Sequence, residues 1–363
     1  MIELAAPHID QALIDERERL IHDLVSIPSP SGEEATAALF LAHWMGDHGM
    51  HAFVDQTNSV VGIRGEGDTE IVLLGHIDTV PGDIPVRIEG RMLHGRGSVD
   101  AKGPLAAFIL AVSQVEPPQG TRLVVIGAAG EETDSCGARA ALNRFRPKAC
   151  LIGEPSHWDR ITLAYKGHLM LHWTYTGALA HSASLTQTPA ECAFHFWQKM
   201  HSYTDDFNRD RAGVFNRLDV STRSMNTNQR SCYGVAEMEV VFRLPPDISL
   251  DQLKTDLRAM ENHAELRFSN CEVLYEADKN TTLTRTLLQA IRSNGGQPRF
   301  VKKTGTSDMN IVGPVWNCPI AAYGPGDSSL DHTPHEHLDL DEFQRSVEIL
   351  RLALENLCTT LSG

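Results

Sequence analysis

Two side chains able to bind or activate a metal ion stand two positions apart, His76 and Asp78, where the aliphatic run Ile71-Val72-Leu73-Leu74 stops at Gly75. Such a run reads as a buried strand ending in a turn. Residues i and i+2 of an extended chain point to the same side, so this imidazole and carboxylate can converge on one point. One can ligate a metal while the other holds the far ring nitrogen, fixing the tautomer and raising ligand basicity. A strand-end histidine bonded to its own neighbour is an equally open reading of this fragment alone.

Further groups of the same kind follow Gly-marked turns. Asp100 lies in Gly95-Arg96-Gly97-Ser98-Val99-Asp100; Glu131 and Glu132 follow the run Leu123-Val124-Val125-Ile126-Gly127; Glu154 follows Cys150-Leu151-Ile152-Gly153; His332 lies in Asp331-His332-Thr333-Pro334-His335-Glu336. Each alone has a plainer reading: Asp100 as a helix N-cap, Glu131-Glu132 as a solvated loop, Glu154 as a turn acid, His332 and His335 as surface histidines. Together they supply two imidazoles and several carboxylates at strand ends, where open α/β sheets bind ligands. Such a donor set suits Zn, Mn or Co rather than thiol-selecting metals.

The elements that must position these groups are legible in outline. Residues 9–27 carry a helical stripe, and Ser31-Gly32-Glu33-Glu34 has the form of a capping box opening a second helix to about residue 49. Strands are predicted at 52–55, 59–63 and 70–75, a hairpin over 86–94, a helix over 101–115, and strands at 123–127 and 150–153. This alternation predicts an α/β fold, a central mixed sheet flanked by helices. From 167 the pattern changes to strands at 169–175, 237–242 and 265–275 with helices at 190–203 and 250–260, an inserted α+β lid or dimerisation domain. A helix at 283–293, a strand at 299–301 and a helix at 341–357 restore the first pattern. The predicted division is therefore 1–166 and 277–363 for a metal-binding catalytic domain, and 167–276 for the insert.

At 363 residues the chain exceeds one ordinary core. Hydrophobic content of 42% and charged content of 22% are those of a globular protein. No apolar run reaches the ~20 residues of a membrane helix, and the first residues lack the form of a signal peptide. Seven scattered cysteines without a CxxC pair point to reduced thiols in a cytoplasm. A formal charge of −15 opposes nucleic acid as a partner.

The segments Gly75-His76-Ile77-Asp78-Thr79-Val80-Pro81, Gly95-Arg96-Gly97 through Asp100-Ala101-Lys102-Gly103, Glu131-Glu132, Gly153-Glu154-Pro155 and His332-x-x-x-Glu336 resemble, in order, the signatures of the di-zinc amidohydrolase and peptidase family of acetylornithine deacetylase, succinyl-diaminopimelate desuccinylase and glutamate carboxypeptidase. The resemblance implies two divalent ions, zinc first, with cobalt or manganese as alternatives. It implies His76, Asp100 and Glu154 on one, Glu132, Asp100 and His332 on the other, and Asp100 bridging. It further implies that Asp78 orients His76, that Glu131 is the general base, and that the peptide after Asp100 is cis. His181 matches the family's lid histidine, which in dimeric members polarises the scissile carbonyl of the partner's site. Arg243 matches an arginine gripping a substrate carboxylate, and Thr306, Ser307 and Gly324 match pocket loops. A homodimer is implied on the same ground.

Three stretches, Glu154-Pro155-Ser156 with Tyr165-Lys166-Gly167, Lys303 to Asn310, and Tyr323 to His332, are most similar to hydrolases of lysine and arginine biosynthesis. Those release lysine or ornithine from the C-terminal glutamate of an amino-group carrier protein. An acidic carrier would need a basic patch here, with Arg299, Lys302, Lys303, Arg223 and Arg230 as candidates. The alternatives are an N-acetylornithine or N-acetyl-lysine deacetylase, a dipeptidase, or an inactive relative that only binds. His335 stands where relatives carry another residue and leaves open which histidine meets the metal.

Overall fold

A computed structural model describes residues 15–181, 183–261 and 263–362. Residues 9–14 of the predicted first helix, and the side chain of Arg230 in the candidate basic patch, lie outside the described residues. The order begins α1 (Glu16–Val25), α2 (Ala35–Asp47), β1 (His51–Val54), β2 (Val60–Gly65), β3 (Thr69–His76), β4 (Arg87–Glu89), β5 (Met92–His94), α3 (Lys102–Ser113), β6 (Thr121–Ala128), α4 (Cys136–Arg144), β7 (Ala149–Gly153) and β8 (Arg160–Tyr165). It continues with β9 (Gly167–Ala178), α5 (Pro189–Asn208), β10 (Asp219–Arg230), β11 (Tyr233–Leu244), α6 (Leu250–Ala259), β12 (Glu265–Glu272) and β13 (Tyr275–Glu276). It closes with α7 (Thr282–Ser293), β14 (Arg299–Lys303), α8 (Met309–Trp316), β15 (Ile320–Ala322), β16 (His337–Asp339) and α9 (Leu340–Ser362).

The described chain divides into two compact units, one running up to Leu163 with Ala277–Val301 and Ser307 onward, the other comprising Ala164–Glu276 and Lys302–Thr306. The short segment 302–306 belongs to the second unit.

The first unit is built on a mixed sheet. β3 is its middle, parallel to β6 on one side and β7 on the other, with β15 parallel to β7 and antiparallel to β8; β2 and β1 extend the far edge antiparallel. β3 is buried from Glu70 to His76, as expected of a strand covered on both faces. α1, α3, α7 and α9 pack together while α4 packs on α8, so two helix groups cover the sheet. α3 is buried at every position from Lys102 to Val112, the character of a helix that is apolar all round. β16 pairs with β5, turning the predicted hairpin into a three-stranded sheet.

The second unit is an antiparallel sheet in the order β10-β11-β9-β12, with Trp173, Phe196, Met200, Phe242 and Leu257 in its core. Its helix α5 starts at a capping box of Thr188 and Glu191. β10 was not predicted, because Ser221, Thr222, Asn226 and Gln229 carry no apolar alternation; an edge strand needs only one paired side and can stay polar. The predicted capping box at residues 31–34 does not form. Glu34 is the N-cap of α2 and makes no side-chain cap, and Ser31 spends its hydroxyl elsewhere.

Candidate metal centre

Three glycines explain why the ligand-type residues share one end of the sheet. In register, Gly127 of β6, Gly75 of β3 and Gly153 of β7 stand side by side. A Cβ on Gly75 would meet Leu105 at 3.4 Å, one on Gly127 would meet Ile77 at 2.7 Å, and one on Gly153 would meet Phe108 at 3.0 Å. This bare row admits α3, and with it Asp100 just before the helix. His76 and Glu154 follow the row by one residue, and Glu131 and Glu132 follow β6 after a short turn. The strand-glycine-ligand pattern in the sequence is thus a packing requirement for the helix as well as a marker of the site.

The side chains converge. His76 Nε2 lies 3.2 Å from Asp100 Oδ1, and His332 Nε2 lies 3.1 Å from Asp100 Oδ2 and 3.0 Å from Glu132 Oε1. Asp100 therefore offers one oxygen to each imidazole, the disposition of a bridging carboxylate. Among the described residues, two donor triads have all their ligand atoms within 4.8 Å of one another: Asp100, Glu132 and His332, and His76, Glu131 and Glu132. Glu154, assigned by resemblance to the His76 ion, lies in neither triad, while Glu131, assigned as base, lies in one. Glu154 is nonetheless buried close enough for Asp100, Glu132 and Asp308 to act on its charge. The Asp100–Ala101 peptide is cis.

The electrostatics call for added positive charge. Burial drives Glu131 well above the usual carboxylate range, with Glu154, Asp308 and Glu132 adding repulsion. Burial, then Asp100, pushes Glu154 up to about 8, and burial pushes Asp308 up to about 6. Burial alone would raise Asp100 too, but hydrogen bonds to His332 and His76 outweigh it and hold its carboxyl well below the usual range. Hydrogen bonds to Asp100 and Glu132 push His332 up to about 10. Burial pulls His76 down, and Asp100 and Asp78 more than reverse it. Without cations, protons thus stand between these carboxylates and imidazoles. A crowd of buried acids with two imidazoles, no thiolate among the donors and one carboxylate facing both ways is the chemistry of a two-cation site.

A tier of residues behind the ligands was only partly visible in the sequence. His76 Nδ1 is closest to the Asp78 main-chain oxygen, at 2.9 Å, with the Asp78 carboxylate at 3.4 Å. That carboxylate accepts the Glu131 and Glu132 N–H groups at 3.1 Å each and the Ser31 hydroxyl at 2.7 Å. Asp78 thus ties the His76 turn to the Glu131-Glu132 turn, more than the single role of orienting a ring. Glu336, fully buried, accepts the Val99 and Asp100 N–H groups at 2.9 and 3.1 Å and pairs with Arg96 at 2.7 Å. This accounts for the His332-x-x-x-Glu336 spacing. His332, itself half exposed, reaches the centre, whereas the His335 main chain donates to Thr333 Oγ1 and accepts from His337 Nδ1. Ser31 and Asp308 carried no sequence signal, since each stood in a local pattern with another meaning.

The expected substrate residues fall in both units. In the first, Ser307 is buried and its hydroxyl accepts the Met309 N–H, while a Cβ on Gly324 would meet Pro104 at 2.6 Å and the Glu154 carbonyl at 2.9 Å. In the second, Arg243 Nη1 donates to Thr306 Oγ1 at 2.7 Å, and Thr306 Oγ1 donates to the Lys166 carbonyl at 3.2 Å. His181 is exposed between β9 and α5, its Nδ1 accepting the Ala183 N–H at 3.1 Å. No helix among the described residues is long and apolar enough to cross a membrane.

Residues 72–356 match the peptidase family M20/M25/M40. The LysW-lysine hydrolase of Deinococcus radiodurans is 44% identical over 350 residues, covering 93% of this chain and 96% of that protein. Among solved structures, an M20 family metallo-carboxypeptidase from Sulfolobus solfataricus superposes with a TM-score of 0.79 at 15% identity, covering 95% of this chain and all of that one. A protein of Bacillus subtilis, described as a dinuclear metal-binding peptidase of the M20 family, superposes with a TM-score of 0.68 at 15% identity over 95% of this chain and 98% of that one.

Proposed function

Because this chain belongs to the peptidase family M20/M25/M40, we propose that it is a metal-dependent amide hydrolase that releases lysine from an Nα-linked carrier or acyl group. The observation that carries the metal centre is Asp100, whose two oxygens face two imidazoles. The substrate class follows the Deinococcus relative, named for LysW-lysine. Ornithine is the neighbouring substrate that the sequence resemblance also allows.

His76, Asp100 and Glu154 would hold one ion, and Glu132, Asp100 and His332 the other; zinc is the first candidate, with cobalt or manganese suited to the same donors. Bound there, two divalent ions supply Lewis acidity and positive charge at neutral pH. Glu131 takes a proton from the water that attacks the amide carbonyl carbon. It passes that proton to the amine nitrogen as the C–N bond breaks. Asp78 holds the main chain of Glu131 and Glu132 while this happens. Arg243, with Thr306 beside it, is assigned to a substrate carboxylate, for which a guanidinium fork is suited. His181 is assigned to carbonyl polarisation, and Thr306, Ser307 and Gly324 to the substrate loops; these five residues and the homodimer rest on the sequence resemblance.

Hydrolysis of carrier-linked lysine, acetyl-lysine, acetylornithine and succinyl-diaminopimelate, each with and without chelator, tests this reading. Chelator-sensitive release of lysine, fastest from the carrier, is expected. Cleavage of succinyl-diaminopimelate alone would refute the substrate, and full activity in chelator would refute the chemistry.

A further inference from the structure

The connection from α1 to α2, residues 26–34, is laced to the strand-end turn of β3. Ser29 donates its hydroxyl to the Ile77 carbonyl at 2.7 Å and accepts the Thr79 N–H at 2.9 Å, and the Ser31 N–H donates to the Thr79 carbonyl at 3.3 Å. Pro30 bridges Thr79 in parallel register. At the tip, Ser31 Oγ donates to Asp78, whose carboxylate also accepts the Glu131 and Glu132 N–H groups. At the root, the Lys102 ammonium donates to the carbonyls of Leu24 at 3.2 Å and Ile27 at 2.6 Å.

Lys102 is 1% exposed. Burying an ammonium is costly unless it is fully hydrogen-bonded. Its bonded partners are main-chain carbonyls at the C-terminal end of α1, where the helix dipole favours a cation. Lys102 is also the first residue of α3, two positions after Asp100. It therefore joins the segment carrying Ser31 to the loop carrying Asp100. Leu24 and Val25 at the root belong to the apolar core and Ile27 packs against it, while a cavity of about 320 Å³ runs beside the segment along Ser26, Pro28, Ser29, Thr79, Arg96 and Lys102. Hydrogen bonds from Lys102 and Ser31 add direction to that packing.

We infer that residues 27–31 form a positioning clamp, rooted on Lys102 through the Ile27 carbonyl and tipped by Ser31, that fixes the turns of His76, Asp100 and Glu131-Glu132 relative to one another before any metal enters. This rests on the metal reading above. Its consequence is that two residues which are not ligands set metal affinity: Ser31 through Asp78, and Lys102 through the chain that carries Ser31. Loss of a partner bonded directly to a ligand costs roughly 10–100-fold in metal affinity, and Ser31 acts one bond further out, through Asp78.

The test is zinc titration of the metal-free protein against a chromophoric chelator for the wild type, Ser31→Ala, Lys102→Met and Ser26→Ala, with metal-free melting temperatures alongside. Ser26 lines the same cavity, but its hydroxyl donates back to the His22 carbonyl of α1 at 2.8 Å. Ser31→Ala should stay folded and bind zinc about three- to tenfold more weakly, just below the effect of losing a direct ligand partner, with kcat lowered and KM near the wild-type value, while Ser26→Ala binds as the wild type does. Lys102→Met should weaken binding similarly; if it does not fold, Ser31→Ala decides alone. A merely structural role would lower the melting temperature and leave zinc affinity untouched. Wild-type zinc affinity in Ser31→Ala would overturn the clamp. A wild-type protein that binds no zinc would instead overturn the metal reading, and the clamp with it.

Discussion

Replacing Asp78 with Asn keeps shape and removes one charge, so its cost can be worked out atom by atom. The carboxylate is fully buried and accepts the Glu131 N–H on Oδ1, and the Glu132 N–H and Ser31 hydroxyl on Oδ2. An amide has only one acceptor oxygen. If that oxygen faces Glu131, the NH₂ group meets the Glu132 N–H; if it faces Glu132, the NH₂ meets the Glu131 N–H. Either way one buried main-chain donor is left unmade, at about 1–3 kcal/mol. The bonds that survive lose their charged acceptor, a further ~1 kcal/mol. Relief of repulsion with Asp308 offsets part of this, while loss of the charge facing His76 adds to it. The sum is about 2–4 kcal/mol, or roughly 5–15 °C in melting temperature at roughly 2–4 °C per kcal/mol for a unit of this size. Differential scanning fluorimetry of the metal-free protein measures the stability, and zinc titration measures the site. Asp78→Asn should lose both stability and metal affinity. A melting temperature within 2 °C of wild type, with unchanged affinity, would refute the idea that this carboxylate joins the two turns.

Glu131→Gln should keep both ions and lose about 10²–10⁴-fold in kcat; metal analysis beside steady-state kinetics checks it, and loss of an ion would reassign Glu131 as a ligand in place of Glu154. His332→Ala should bind one ion fewer while His335→Ala binds the full complement, as inductively coupled plasma analysis will show; the reverse result would exchange the two histidines. In the metal-free protein, His332 is raised to about 10 by Asp100 and Glu132. Because its folded pKa exceeds the unfolded ~6.5, its stabilising contribution is complete below ~6.5 and is lost as pH rises towards about 10. Metal displaces that proton, so calorimetry at pH 7.5 in buffers of different ionisation enthalpy should detect proton release on zinc binding, and a buffer-independent heat would contradict the assignment.

Much of the centre was readable in the sequence because its residues follow strand ends with a fixed grammar. The aliphatic runs at 71–74, 123–126 and 150–152 marked β3, β6 and β7, and the glycine after each marked where α3 comes close. Residues whose roles depend on long-range contact were not readable. Ser31 had the local form of a capping residue, yet it bonds Asp78, 47 positions away. Glu336 was visible only as a spacing from His332, and its bonds to the loop at 99–100 show why the spacing holds. β10 lacked alternation because an edge strand is solvated on most of its surface, and α8 was hidden by Gly313 and Pro314 inside only eight residues.

A crystal of the zinc-loaded protein, measured above and below the zinc absorption edge, tests the central claim most directly. Two anomalous peaks should appear, with one Asp100 oxygen ligating each. A single peak, or two peaks without Asp100 between them, would contradict the account.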